Sequence, residues 1–370
     1  AGSCHLAALT AGGVVSYPGV LLQQLRSNDT IIHLDLDNGS WIGSVHGLAG
    51  IPSFLMPFLM QYQGRKFTFI LSCLLIIIGW AFTYAANNLL TLIIGECFHG
   101  LGGHSLLTVS FLSMSEMIQP KYRNISLLLY GTSQAFGMSF VGIIGRYLHW
   151  KTAGMVMSCP IILALILGLF WPESPSWLAF KGRFEECEDV FKRFSVTTIL
   201  TRFFSSKKVL LFSMSGSFVC MTLMSVVAYL QNTHIVAKDS MLGAYFIVCF
   251  VIVFSTGSNG IGFTLATELM PVKHRGLGGC IFVICTCVFH SSSLKSFPYL
   301  CVYLNLWGAF LIYAIYIVIA GVIVFVCVPD TRNKTLQEIE EFYQNGCYKE
   351  RRLVCADLSV RQKFLNDNGL

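Results

Sequence analysis

PESPSWLAFKGRFEE, residues 172–186, follows one long apolar run, and PDTRNKTLQEIEE, residues 329–341, follows another. Each opens with a proline and an acidic residue, and each leads into a charged amphipathic stretch. Working outward, EMIQPKYR carries Glu116 and Arg123 seven apart, and ELMPVKHR carries Glu268 and Arg275 seven apart, offset by 152 in both members. GRKFTFILSCLL from Gly64 likewise resembles SSKKVLLFSMSG from Ser205, a basic turn opening an apolar run. Three correspondences in the same order make the chain an internal repeat of two parallel halves.

The residues between these motifs are strongly apolar. Of 370 residues 54% are hydrophobic and 12% charged, against about 25% charged in a soluble domain; the mean hydropathy is +0.65. A bilayer core about 30 Å thick needs about 20 apolar residues per helix. Ten such runs are present, at 1–22, 41–60, 67–86, 89–112, 125–146, 153–171, 209–231, 241–266, 277–300 and 306–328. An all-α, multi-pass membrane protein is expected, with too many spans for a seven-helix receptor. The first run starts at Ala1 without a charged lead, and its Gly12, Gly13 and Pro18 do not fit a signal peptide. A trimmed or fragmentary N-terminus is expected.

If the spans alternate, one set of loops with the tail after 328 holds 20 of the 25 Lys and Arg residues. The positive-inside rule then places both termini in the cytoplasm. Asn28 and Asn38 head glycosylation sequons in the first external loop. Similar triplets at Asn124 and Asn333 fall on the cytoplasmic side. The 14 cysteines are scattered through apolar runs with no Cys-x-x-Cys pair, so they read as small hydrophobes and no metal site is indicated. No nucleophile, paired carboxylates or phosphate loop stands in a catalytic context, so an enzyme is not expected. No cofactor or nucleic-acid partner is indicated, and membrane lipid is the expected surround.

The repeat also shows a gap. Two spans precede the basic turn in the first half, whereas only residues 172–206 separate the acidic turn from the corresponding turn at 205–208. A pair of helices is absent from the second half. The expected organisation is a six-helix half at 1–171, an inter-half loop with amphipathic helices at 172–206, a four-helix half at 207–328 and a cytoplasmic tail at 329–370.

Taken together, PESPSWLAFKGR, the Gly64, Arg65, Lys66 turn, the two Glu/Arg turns and PDTRNKTLQEIEEF resemble the sugar porter family of the major facilitator superfamily. That family includes animal glucose facilitators and insect trehalose facilitators. The resemblance implies two helical halves around a central cavity and twelve helices, so the pair absent here corresponds to family helices seven and eight. It also implies a cytoplasmic latch of ion pairs holding the halves together. Glu116 with Arg123, Glu268 with Arg275, and Arg65 with Glu185 or Glu186 are the expected pairs. Gln61 and Tyr62 stand where the family's leading Asp-Arg pair would be, and Glu96 stands where the family carries Arg.

For the sugar path, Ser255, Asn259 and Phe263 fall at i, i+4 and i+8 on one helix face. By resemblance, Phe263 takes the place of a Trp that stacks on sugar, and Ser255 that of a sugar-contacting Glu. Gln134 lies one turn beyond Gly131, the position of the family's sugar-binding Gln. Glu96, His99 and His104 offer a proton relay or a metal pair on paper. However, His99 and His104 diverge by about 140° on a helix, which favours packing or interhelical bonding. The first span carries Tyr17 and no Asp of the kind that proton-coupled porters use, so uniport is expected. The reading is facilitative transport of a hexose or trehalose by alternating access in the plasma membrane. The alternative is a degenerate or splice-shortened porter without transport, acting as a sugar sensor or regulatory partner.

Overall fold

The computed structural model describes residues 2–25, 35–118, 120–188, 206–237, 242–254, 262 and 275–328. Among the described residues every regular element is a helix. Lipid offers no hydrogen-bond partners to a spanning backbone, and a helix satisfies its backbone internally.

The first half runs α1 (Gly2–Leu25), α2 (Leu36–Ala49), a 3-10 turn (Ile51–Leu55), α3 (Met56–Gln63), α4 (Arg65–Ala85), α5 (Leu89–Met117), α6 (Pro120–Tyr147) and α7 (Trp150–Leu169). A short α8 (Pro175–Phe180) follows. The second half holds α9 (Ser206–Asn232), α10 (Leu242–Phe254) and α11 (Arg275–Cys327). Asn305, at φ 58° and ψ 173°, breaks α11 into limbs of 275–304 and 306–327. Among the described residues helix thus occurs in each of the ten apolar runs. The second run is a composite of α2, the 3-10 turn and α3, because Pro52 and Pro57 each restart the chain at a helical first turn.

Local signals set the ends. The Asn88 side chain accepts from the Thr91 N–H at 2.8 Å and caps α5. Gly64 sits at φ 93° between α3 and α4, where a side chain would also collide with the Glu173 carboxylate. The second helix begins earlier than its hydropathy implies. Asn38, expected in a loop, lies in the first turn of α2, and its sequon partner Ser40 is buried against the Asp37 carbonyl.

The core belongs to the first half. α1 packs chiefly on α6 and α7, and α4 packs on α5 and α7. Gly12 and Gly137 let α1 and α6 approach until a Cβ on either would strike the other helix's carbonyls. Tyr17, fully buried, donates to the Trp150 carbonyl at 2.9 Å and meets the Trp80 ring edge-on at 4.9 Å. Gln24 donates to the carbonyls of Gly145 and Leu148 and accepts from the Trp150 N–H, closing the α6–α7 turn onto α1.

In the second half α9 packs on α10 and α11, with Ser213 donating to the Val253 carbonyl and Ser225 to that of Trp307, both at 2.7 Å. The two halves meet where α2 lies along the first limb of α11 and where α6 touches α10.

Candidate functional site

Three separated motifs converge at the end of the first half that carries the basic turn. Arg65, first residue of α4, sends Nε and Nη2 to the two carboxylate oxygens of Glu116 on the last turn of α5, at 2.7 and 2.6 Å. Nη1 donates to the Met60 carbonyl at 3.0 Å. The Arg65 N–H donates to Glu173 at 2.9 Å, and the Ser174 hydroxyl donates to Glu116 at 2.7 Å. A two-pronged guanidinium–carboxylate pair fixes orientation as well as charge. Here the two side chains are only 14% and 22% exposed, so water screens the pair little. Trp177 on α8 donates to the Gln61 carbonyl at 3.0 Å, which lets a main-chain group at the position of an expected charge still tie α3 to α8. Beside this cluster lies a pocket of about 270 Å³ lined by Met60, Gln61, Arg65, Glu116, Trp177 and Phe180.

This geometry corrects one expected pairing. The carboxylate that holds Arg65 is that of Glu116, neither Glu185 nor Glu186. Glu186 is held by Arg183, three residues before it, at 2.7 and 2.6 Å. Antiparallel α4 and α5 bring their ends together, whereas a neighbour at i−3 captures Glu186 first. All of these bonds lie within the first half and the segment that directly follows it. Arg123 and Arg275 lie on α6 and α11, their side chains outside the described residues, as is Glu268. Lys66 starts α4 beside Arg65, with its N–H directed to Glu173.

The expected sugar-path residues divide. Gln134 is buried on α6, its backbone against Gly12 of α1. Ser255, Asn259 and Phe263 lie outside the described residues, as does Asn28. Their neighbour Phe254 faces a cavity of about 580 Å³ in the second half, shared with Met214, Ser217, Phe250, Phe297 and Tyr313.

Two groupings go beyond the sequence reading, which named Glu96, His99 and His104 but neither His46 as the partner of Glu96 nor the Asp37–Lys295 pair. At the end opposite Arg65, Lys295 of α11 pairs with Asp37 of α2 at 2.7 Å and lies 4.1 Å above the Trp41 ring, while Tyr299 donates to the same carboxylate at 2.9 Å. The available signal was that Lys295 is a lone basic residue on the sparsely charged side, where Asp35 and Asp37 also lie. In the bundle interior, fully buried Glu96 on α5 has His99 of its own helix at 3.5 Å and His46 of α2 at 3.3 Å. Helical spacing reaches His99 but not a histidine fifty residues away. Among the described residues no three His, Cys, Asp or Glu converge to hold a metal ion.

A bundle of spanning helices in two halves, tied by polar clusters at its ends, defines a multi-pass membrane protein. A family model described as sugar (and other) transporter matches residues 34–202 and 194–343. The chain belongs to this family, whose members are transporters and not enzymes. It is 24% identical over 434 residues to the facilitated trehalose transporter Tret1 of Apis mellifera ligustica, covering 90% of this chain and 86% of that one. It is 28% identical over 177 residues to the mouse solute carrier family 2, facilitated glucose transporter member 6, covering 47% of this chain and 36% of that one. The fold matches the major facilitator proton:xylose symporter XylE bound to 6-bromo-6-deoxy-D-glucose, with a TM-score of 0.74 at 14% identity over 92% of this chain and 98% of that one. An inward open XylE from E. coli matches with a TM-score of 0.71, also at 14% identity, over 92% and 98%. The fold is therefore that of the major facilitator superfamily.

Proposed function

We propose that this chain is a facilitative carrier of a hexose or of trehalose, working by alternating access between α1–α7 and α9–α11. The observation that carries this reading is the convergence of the Gly64–Lys66 turn, Glu116 and the Glu173–Ser174 turn on one partly buried ion pair, at the ends of helices that a rocking half must move as a unit. The kinship with trehalose and glucose facilitators supports the substrate class. On this reading the protein sits in the plasma membrane with its Arg65 end in the cytoplasm. Gly64, Arg65, Lys66, Glu116, Arg123, Glu185, Glu268 and Arg275 serve the gate, Gln134, Ser255, Asn259 and Phe263 face the sugar, and Asn28 and Asn38 face outward. The test is uptake of labelled glucose and trehalose into proteoliposomes. Saturable uptake of either is expected, slowed at least tenfold in Glu116→Gln; no saturable uptake of either sugar would overturn the reading.

A second reading, a shortened porter that senses or regulates without carrying, is favoured by one set of observations. The family match breaks into two pieces that meet at 194–202, and the alignment with the honeybee relative runs over 434 residues, more than this chain has. Both accord with an internal pair of helices missing from the second half. Inserting the relative's extra pair between Val196 and Lys207 separates the readings: uptake only with the insertion supports the second, and uptake without it supports the first.

A further inference from the structure

The seam between the halves runs through the membrane interior and carries histidines from three helices. α2 lies against the first limb of α11, with the Ser291 hydroxyl donating to the Ser44 carbonyl at 2.7 Å in a fully buried contact. Two residues from Ser44 stands His46, and next to Ser291 stands His290. With His104 of α5 they form a triangle of rings whose centroids are 5.7, 5.9 and 6.0 Å apart. On the far side of His46 lies the Glu96 carboxylate, flanked by His46 and His99 through their Nδ1 atoms.

A carboxylate without water at this depth is sustained only by partners that neutralise it. Both flanking Nδ1 atoms face carboxylate oxygens, so the tautomer that satisfies Glu96 carries its protons on Nδ1. That leaves Nε2 of His46 and Nε2 of His99 as bare lone pairs, and both are buried without a hydrogen-bond partner. A proton arriving there forms an imidazolium against the carboxylate, and the site becomes neutral overall. His104 directs Nδ1 to the Gly100 carbonyl at 2.9 Å, so its Nε2 is likewise an acceptor. Any further proton on His104 or His290 places a second positive charge within one ring spacing of His46, across the contact between α2 and α11.

Among the described residues the surrounding elements supply no Lys or Arg to the site. α1 brings Tyr17, whose ring lies 6.5 Å from that of His99 and whose hydroxyl is committed to Trp150. α4 brings uncharged Trp80 and Thr83, and α5 adds Cys97 beside Glu96. α11 brings His290.

We propose that Glu96 with His46 and His99 is a proton-binding site inside the membrane, and that His46, His104 and His290 transmit its loading across the seam, so that acidification parts α2 from α11. The proton comes from water on the side to which the seam opens and returns there, with no other chemistry. The proposal adds a second ligand to the transport reading, and it rests on that reading only for its consequence on sugar flux.

The experiment uses no sugar. Nitroxides attached through non-natural amino acids at Leu90 of α5 and Val302 of α11, both exposed and on opposite halves, report the distance across the seam in the full chain in nanodiscs. Between about pH 8 and pH 4, the distance distribution is expected to shift to longer values, most of it at the acid end, where a second imidazole takes up a proton. His46→Gln and His290→Gln each remove most of that shift, and Glu96→Gln reduces it. Each variant is required to elute as a single species, with His→Asn used where His→Gln does not. A distribution that stays the same at every pH, or a shift that survives both histidine substitutions, overturns the proposal. Sugar uptake without the pH response would fail this proposal alone, and the pH response without uptake would fail the transport reading alone.

Discussion

The first half of the molecule is packed through its centre, whereas the second is open at the equivalent place. In α1, 61% of the most apolar stretch is buried; in α11 the figure is 6%. The repeat explains where the difference lies. Matching Gly64 to Ser205 sets Cys73, Ile76 and Trp80 of α4 opposite Met214, Ser217 and Met221 of α9. The first three lie in the core that α1 covers, and Trp80 takes Tyr17 against its ring. The second three line the 580 Å³ cavity. The same helix face is covered in one half and uncovered in the other. In lipid an uncovered apolar face costs little, because acyl chains replace the missing contacts; what is lost is close packing.

Four tests probe this contrast, from the largest effect to the smallest. Trp80→Ala empties a filled site and is expected to cost on the order of 3 kcal/mol, while Met221→Ala at the matched position costs under about 1 kcal/mol. Thermal unfolding followed by size-exclusion chromatography in detergent compares them, and equal losses would break the contrast. Glu116→Gln removes the charge from a partly buried two-pronged pair, with an expected cost of about 2 kcal/mol. Its melting point should fall well below that of Glu186→Gln, whose carboxylate is exposed and paired only with Arg183. Ser217→Leu fills the second-half cavity and is expected to stabilise by about 1 kcal/mol, whereas Cys73→Leu on the matched face overpacks a core and destabilises by about 1–3 kcal/mol. Cys73 itself matches Met214, the neighbour of Ser217 in the same cavity. Opposite signs for filling the open face and overfilling the packed one sharpen the comparison. Asp37→Asn breaks an exposed tie between the halves and should leave the melting point within the scatter of the parent. Its effect belongs in the opening distance between Leu90 and Val302, measured in nanodiscs at fixed pH.

Much of the fold was legible in advance, and the exceptions have physical causes. Among the described residues each apolar run holds helix, because a spanning segment must be apolar along its whole length. The reading was least accurate where a helix extends into polar sequence, as at Leu36–Ser40 of α2 and Glu116–Met117 of α5, since hydropathy ends there while backbone hydrogen bonding continues. Of the candidate site, Arg65 and Glu116 were named by motif but assigned to other partners. The correct pairing depends on α4 and α5 ending side by side, which no spacing within one segment reveals. Gln134, expected on the sugar path, is buried on α6.

The sequence alone determined the class of molecule: a membrane protein of repeated halves, its kinship carried by turns whose charges survive in order. Composition and motif order are sums over neighbours in the chain, so they need no third dimension. Tertiary structure decided which charges meet. Glu96 and His46 are separated by fifty residues, Asp37 and Lys295 by 258, and each pair forms because two helices from distant segments cross at one depth. In a medium without water that proximity is the chief source of stabilisation for a buried charge, which is why the polar sites of this protein belong to its packing and its overall class to its sequence.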